Sequence, residues 1–142
     1  MSTDGGRSWS APIKINQTPR SPTALNQQAF VPNIRVADDG TVAVTYYDFR
    51  NNDANSGAPT DYWIVHCHAN CASASNWGNE ARLTGSSFDI EQAPAARGPF
   101  GFFLGEYEGL TSVGNTFRPV FIQVNNGNAS NRTDVFGTSA SP

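Results

Sequence analysis

Lysine is nearly absent from this chain. Of nine basic residues only Lys14 is a lysine; the rest are scattered arginines, set against 12 acidic residues for a net charge of −3. With no basic stripe, neither nucleic acid nor an anionic membrane surface is expected as a partner. No apolar run approaches the roughly 20 residues a helix needs to cross a bilayer, so no membrane span is expected. Met1 is not followed by a charged n-region and an apolar h-region, so any export signal is expected upstream of it. No window has a convincing helical period. Cysteine is limited to Cys67 and Cys71, and no metal or cofactor motif stands out.

What remains is the composition of a folded domain. The chain has 142 residues, 38% of them hydrophobic, with 13 glycines. That content argues against disorder. Short alternating apolar runs are separated by Gly, Asn, Asp and Pro, the signature of an all-β protein. Strands are predicted over residues 32–37, 41–47, 62–66 and 77–83, and the first two are joined through the turn residues Asp38, Asp39 and Gly40.

The most informative segment is Ser2-Thr3-Asp4-Gly5-Gly6-Arg7-Ser8-Trp9. Asp4, Gly5 and Gly6 permit a tight turn with positive φ. The Asp4 carboxylate and the Ser2 and Ser8 hydroxyls can bond loop amides and hold that turn locally. Trp9 is then expected to enter a strand over residues 9–15 and to place its ring between layers.

The chain repeats itself. Residues 77–84 match residues 9–16: Trp, a polar stretch, apolar, basic, apolar, polar. Residues 41–47 correspond to 116–122, and 60–63 to 133–136. The period is roughly 70 residues, longer than the about 40–50 of a propeller blade, and insertions at 51–59 and 85–105 account for the excess.

The pattern Ser2-x-Asp4-x-Gly6-x-Ser8-Trp9 resembles the Asp-box of sialidase-like β-propellers. Three further segments are similar to bacterial proteins of that group: the hairpin of residues 30–42, Tyr46-Tyr47-Asp48-Phe49-Arg50, and residues 103–110. The resemblance implies an all-β partial β-propeller of about two four-stranded antiparallel blades. Residues 1–16 would end one blade and carry the Asp-box (Ser2, Asp4, Gly6, Ser8, Trp9). Residues 28–84 would form a complete blade, and residues 106–138 would supply three strands of the next. Propellers close with typically about 4–8 blades, so the chain is expected to be part of a larger propeller whose remaining blades, or self-association, cover its exposed faces.

For Cys67 and Cys71 three states are open: a disulfide closing a short hairpin loop, a metal site with His66 and His68, or a reduced buried pair. Metal ligation suffers because residues 66, 67 and 68 alternate faces on a strand. In the second repeat the Asp-box has decayed, with Ala72 at the Asp position and Asn70 at the first Ser position. A disulfide there would replace the hydrogen-bonded turn and would imply an oxidising compartment, secreted, periplasmic or at the cell surface.

The family implies glycoside chemistry on terminal sialic acid: an arginine triad clamping a carboxylate, a tyrosine nucleophile activated by a glutamate, and an aspartate acid/base. On this chain the matching candidates are Glu106 and Tyr107, with Glu108 beside them, for catalysis, and Arg50 and Arg118 for substrate. Each has a structural alternative: Tyr107 buried between blades, the glutamates capping loop amides, and Arg50 paired with Asp48 or Asp61. Arg35 is a third arginine, at a strand position that could face a central channel. The Phe-Arg-Ile-Pro segment of sialidases and a clear acid/base Asp loop are absent. Three functions follow as expectations. The parent protein hydrolyses sialosides or related glycosides while this portion alone is inactive; or it is a non-catalytic propeller that binds glycan or protein; or it is a purely structural repeat module of a large surface protein. The aromatic run at residues 98–103 suits either sugar stacking or an apolar plug between blades.

Overall fold

The computed structural model describes residues 1–19, 28–95, 101–105 and 107–142. Its strands in chain order are β1 (Ala29–Val36), β2 (Val42–Asp48), β3 (Pro59–Cys67), β4 (Gly78–Arg82), β5 (Phe88–Asp89), β6 (Gly109–Val113), β7 (Thr116–Val124) and β8 (Thr133–Gly137). Two single 3-10 turns, Ala74–Asn76 and Ile90–Gln92, are the helical elements among the described residues. One sheet runs β1-β2-β3-β4, with β5 added beside the start of β3; the other runs β6-β7-β8. Every pairing is antiparallel.

The β1–β2 hairpin closes where the turn chemistry placed it. Gly40 takes φ 86°, a region open to glycine without strain. Its amide donates to Ala37 O at 3.0 Å, and the Asp39 carboxylate accepts from the Thr41 amide at 2.9 Å. β2 is buried on both faces. Its odd residues Ala43 and Tyr47 join Tyr62, Ile64 and Phe88 on one side, where Phe117 and Phe121 of β7 pack against them. The two sheets thus meet face to face. Tyr62 stacks on Phe121 with centroids 4.6 Å apart, and Tyr47 lies 4.5 Å from Tyr62. Such aromatic pairs contribute about 0.5–1.5 kcal/mol each beyond their area burial. The even residues Val44 and Tyr46, with Val65, face the other way and are covered by Ile15, Trp63 and Trp77.

The N-terminal segment differs from its sequence expectation. Residues 9–15 form no strand, and Trp9 is 74% exposed rather than packed between layers. A strand needs a partner edge, and this stretch has none. Its matching segment does find one: β4 pairs with β3, Trp63 opposite Arg82. The insertion at 85–105 is also more than an added loop. Phe88 of β5 is fully buried in the core between the sheets.

Candidate functional site

Four groups of side chains were candidates from the sequence: the Asp4 turn, the cysteine pair, the arginines, and Glu106 to Glu108. The Asp4 turn is fully assembled. Its Oδ1 accepts from the Arg7 and Ser8 amides, both at 3.0 Å, and from the Ser2 hydroxyl at 2.8 Å; its Oδ2 accepts from the Ser8 hydroxyl at 2.6 Å. The Gly6 amide donates to Ser2 Oγ at 2.8 Å. The Ser8 hydroxyl, then its amide, then the Ser2 hydroxyl hold the Asp4 carboxyl well below the usual carboxylate range. All four side-chain oxygens of Ser2, Asp4 and Ser8 are thereby spent on the turn, which makes it a staple rather than a ligand site. The indole of Trp9 donates to Gly6 O at 3.2 Å.

The second hairpin carries a covalent counterpart. Cys67 and Cys71 form a disulfide, Cα–Cα 5.8 Å. The Trp77 indole donates to Cys71 O at 3.0 Å, as Trp9 does to Gly6. No cluster of three or more His, Cys, Asp or Glu side chains fit for a metal ion is found among the described residues. The His66 ring instead packs on Phe117 at 5.4 Å, and burial pushes its pKa down.

Arg50 is held on the face covered by the N-terminal segment. Its Nε and NH2 reach Asp48 Oδ2 at 2.8 and 2.7 Å, NH1 reaches Glu80 Oε2 at 2.6 Å, and its guanidinium lies 3.6 Å over the Trp63 ring. NH2 also donates to the Tyr46 hydroxyl at 3.2 Å. Asp48 sits directly opposite Asp61 across β2 and β3, and both are buried. Two like charges so placed repel, and each needs its own counter-network. Asp48 has Arg50 and the Thr18 hydroxyl; Asp61 has the Thr84 and Ser87 hydroxyls, the Asn51 amide and Arg82. Of the two partners foreseen for Arg50, Asp48 is one; the second is Glu80, not Asp61.

The remaining candidates separate in space. Glu106 lies outside the described residues. Tyr107 is 87% exposed and not buried between sheets. Arg118, exposed on β7, stands opposite Thr111 of β6 with no ionic partner among the described residues. Arg35 donates from Nε to Ser112 Oγ at 3.2 Å and so ties β1 to β6. Of the run at 98–103, residues 98–100 lie outside the described residues, while Phe102 and Phe103 are each about half exposed.

Glu108 was singled out beside Tyr107, but the sequence did not reveal that it meets Tyr62 and Tyr47 at the junction of the sheets. The Tyr62 hydroxyl lies in donor range of both Glu108 Oε2, at 3.4 Å, and Thr45 Oγ1, at 2.8 Å. Glu108 Oε1 is buried with no hydrogen-bond partner among the described residues. Burial pushes the Glu108 carboxyl up to about 7, against smaller opposing bonds from Tyr62 and Tyr47. Tyr47 exchanges both hydrogen bonds with the Ile122 backbone, donating at 2.6 Å and accepting at 3.0 Å. Burial raises both phenols far above their ordinary value, so neither is a ready nucleophile here.

Comparison with protein-family models, curated proteins and solved structures found no match.

Proposed function

We propose that the two sheets are consecutive blades of a sialidase-like β-propeller, and that this chain is a non-catalytic, glycan- or protein-binding part of it. The blade reading is supported by face-to-face packing of two antiparallel sheets, by the contact of their leading strands through Arg35 and Ser112, and by the closed Asp4 turn. An extracellular, periplasmic or cell-surface setting is supported by the Cys67–Cys71 bridge.

The observation that carries the non-catalytic reading is the saturation of Arg50. A carboxylate ligand would have to displace Asp48, Glu80 and Trp63 together. A second reading, in which the parent hydrolyses a terminal sialic acid or related glycoside, is favoured by exposed Tyr107 and by Arg118, which is exposed and has no ionic partner among the described residues. Titrating the isotope-labelled chain with a simple sialoside separates the two. Under the first reading the resonances of Arg50 and its partners stay fixed, and any perturbation falls on exposed groups such as Arg118. Displacement of the Arg50–Asp48 pair by the ligand would overturn it.

A further inference from the structure

Among the described residues the second sheet has three strands where the main run of the first, β1 to β4, has four, and one of its edges is open. β8 pairs with β7 on one side and with nothing on the other among the described residues. In the first sheet the equivalent strand, β3, is completed by β4. The segment that matches β4 in sequence is residues 9–16, and those residues form no strand. Residues 9–14 are all exposed, and residues 11–16 make no backbone–backbone hydrogen bond among the described residues. An unpaired strand edge and an unpaired strand-like segment of one repeat family are complementary.

We propose that the open edge of β8 takes residues 9–14 of a second copy of this chain as its fourth antiparallel strand. A second copy is required because, within one chain, the two parts lie on opposite faces of the first sheet. Ile15 packs on the Val44, Tyr46 and Val65 side, whereas β7 packs on the Tyr47 and Tyr62 side. The Thr18 hydroxyl on Asp48 at 2.5 Å and the Gln17 amide on Glu80 at 3.0 Å anchor the segment there. The contact is therefore head-to-tail, a heterologous interface that yields closed rings or open chains of copies.

The register carries over from the first sheet. Trp63 opposite Arg82 places Phe136 opposite Lys14, and Ile64 opposite Ala81 places Gly137 opposite Ile13. The inference needs only the repeat and the strand order; it stands whether or not the protein acts on glycans.

The test mixes two single-substituted chains, Ile13→Cys and Gly137→Cys, under mild oxidation, with the Cys67–Cys71 bridge left intact. Ile13→Cys mixed with Arg118→Cys is the control. The proposal expects disulfide-linked heterodimers in about tenfold excess over the control, and unsubstituted chain that sediments above its 15.2 kDa monomer mass as concentration rises. Ile13→Pro removes a strand amide and raises the dissociation constant about tenfold. Two results overturn the proposal. One is a monomer at every concentration with no excess of linked heterodimer. The other is a bridge in the Ile13→Cys, Gly137→Cys double variant that forms within single chains regardless of dilution.

Discussion

The Tyr62 hydroxyl lies in donor range of both Glu108 Oε2, at 3.4 Å, and Thr45 Oγ1, at 2.8 Å. The Glu108 carboxyl sits partly buried at the junction of the two sheets. Burial explains why its proton is held up to about pH 7, against the smaller opposing hydrogen bonds from Tyr62 and Tyr47.

A pH dependence follows. The folded-state pKa of Glu108 lies above its ordinary value of 4.5, so the folded chain binds this proton more tightly than the unfolded one. The stability it contributes is complete below pH 4.5 and is lost as pH rises through about 7. Glu108→Gln should therefore exceed the unsubstituted protein in stability at pH 8. The gain is about 1–2 kcal/mol once partial exposure of the side chain is allowed for. Urea denaturation from pH 4 to 8 checks this; parallel profiles would refute it.

Arg50 is a clamp on a buried carboxylate. Arg50→Ala leaves Asp48 uncompensated opposite Asp61 and should destabilise by about 3–5 kcal/mol. Arg50→Lys keeps the charge but loses the flat stacking on Trp63, and should fall between the two. Chemical denaturation of the three proteins reads this ordering. A loss under about 0.5 kcal/mol for the alanine variant would mean the side chain is free.

The Cys67–Cys71 bridge closes a short loop, with a sequence separation of four. A loop of that size corresponds to about 2 kcal/mol of chain entropy. The double Ser substitution should lower stability by that amount in denaturant, and added reductant should then have no further effect.

Asp4 staples a turn that the rest of the fold does not need. Asp4→Ala should abolish hydrogen-exchange protection at the Arg7 and Ser8 amides, whose acceptor is removed. The global unfolding transition should stay in place, because residues 3–9 of the turn are exposed. A large drop in that transition would place the turn inside the cooperative core.

The legible parts of the fold are the local ones. Alternation in residues 41–47 and the Asp39-Gly40 turn marked β2 and its hairpin, and the Ser2–Asp4–Ser8 spacing marked a turn that closes on itself. The Arg50–Asp48 contact was readable because the two residues are neighbours on one strand end. Glu80, the other arm of that clamp, was not, since it arrives from β4. The Glu108 site is equally non-local: Tyr62 lies 46 residues away in sequence and meets it where the two sheets pack. Residues 9–15 failed for the same reason in reverse. Their pattern is that of a strand, but pattern alone supplies no partner edge.

The central functional claim is that this chain carries no working glycosidase centre. The most direct measurement is release of fluorophore from a fluorogenic sialoside by the 142-residue protein. The account predicts a rate equal to the blank, unchanged by Tyr107→Phe or Arg118→Ala. Turnover above the blank that either substitution abolishes would contradict it.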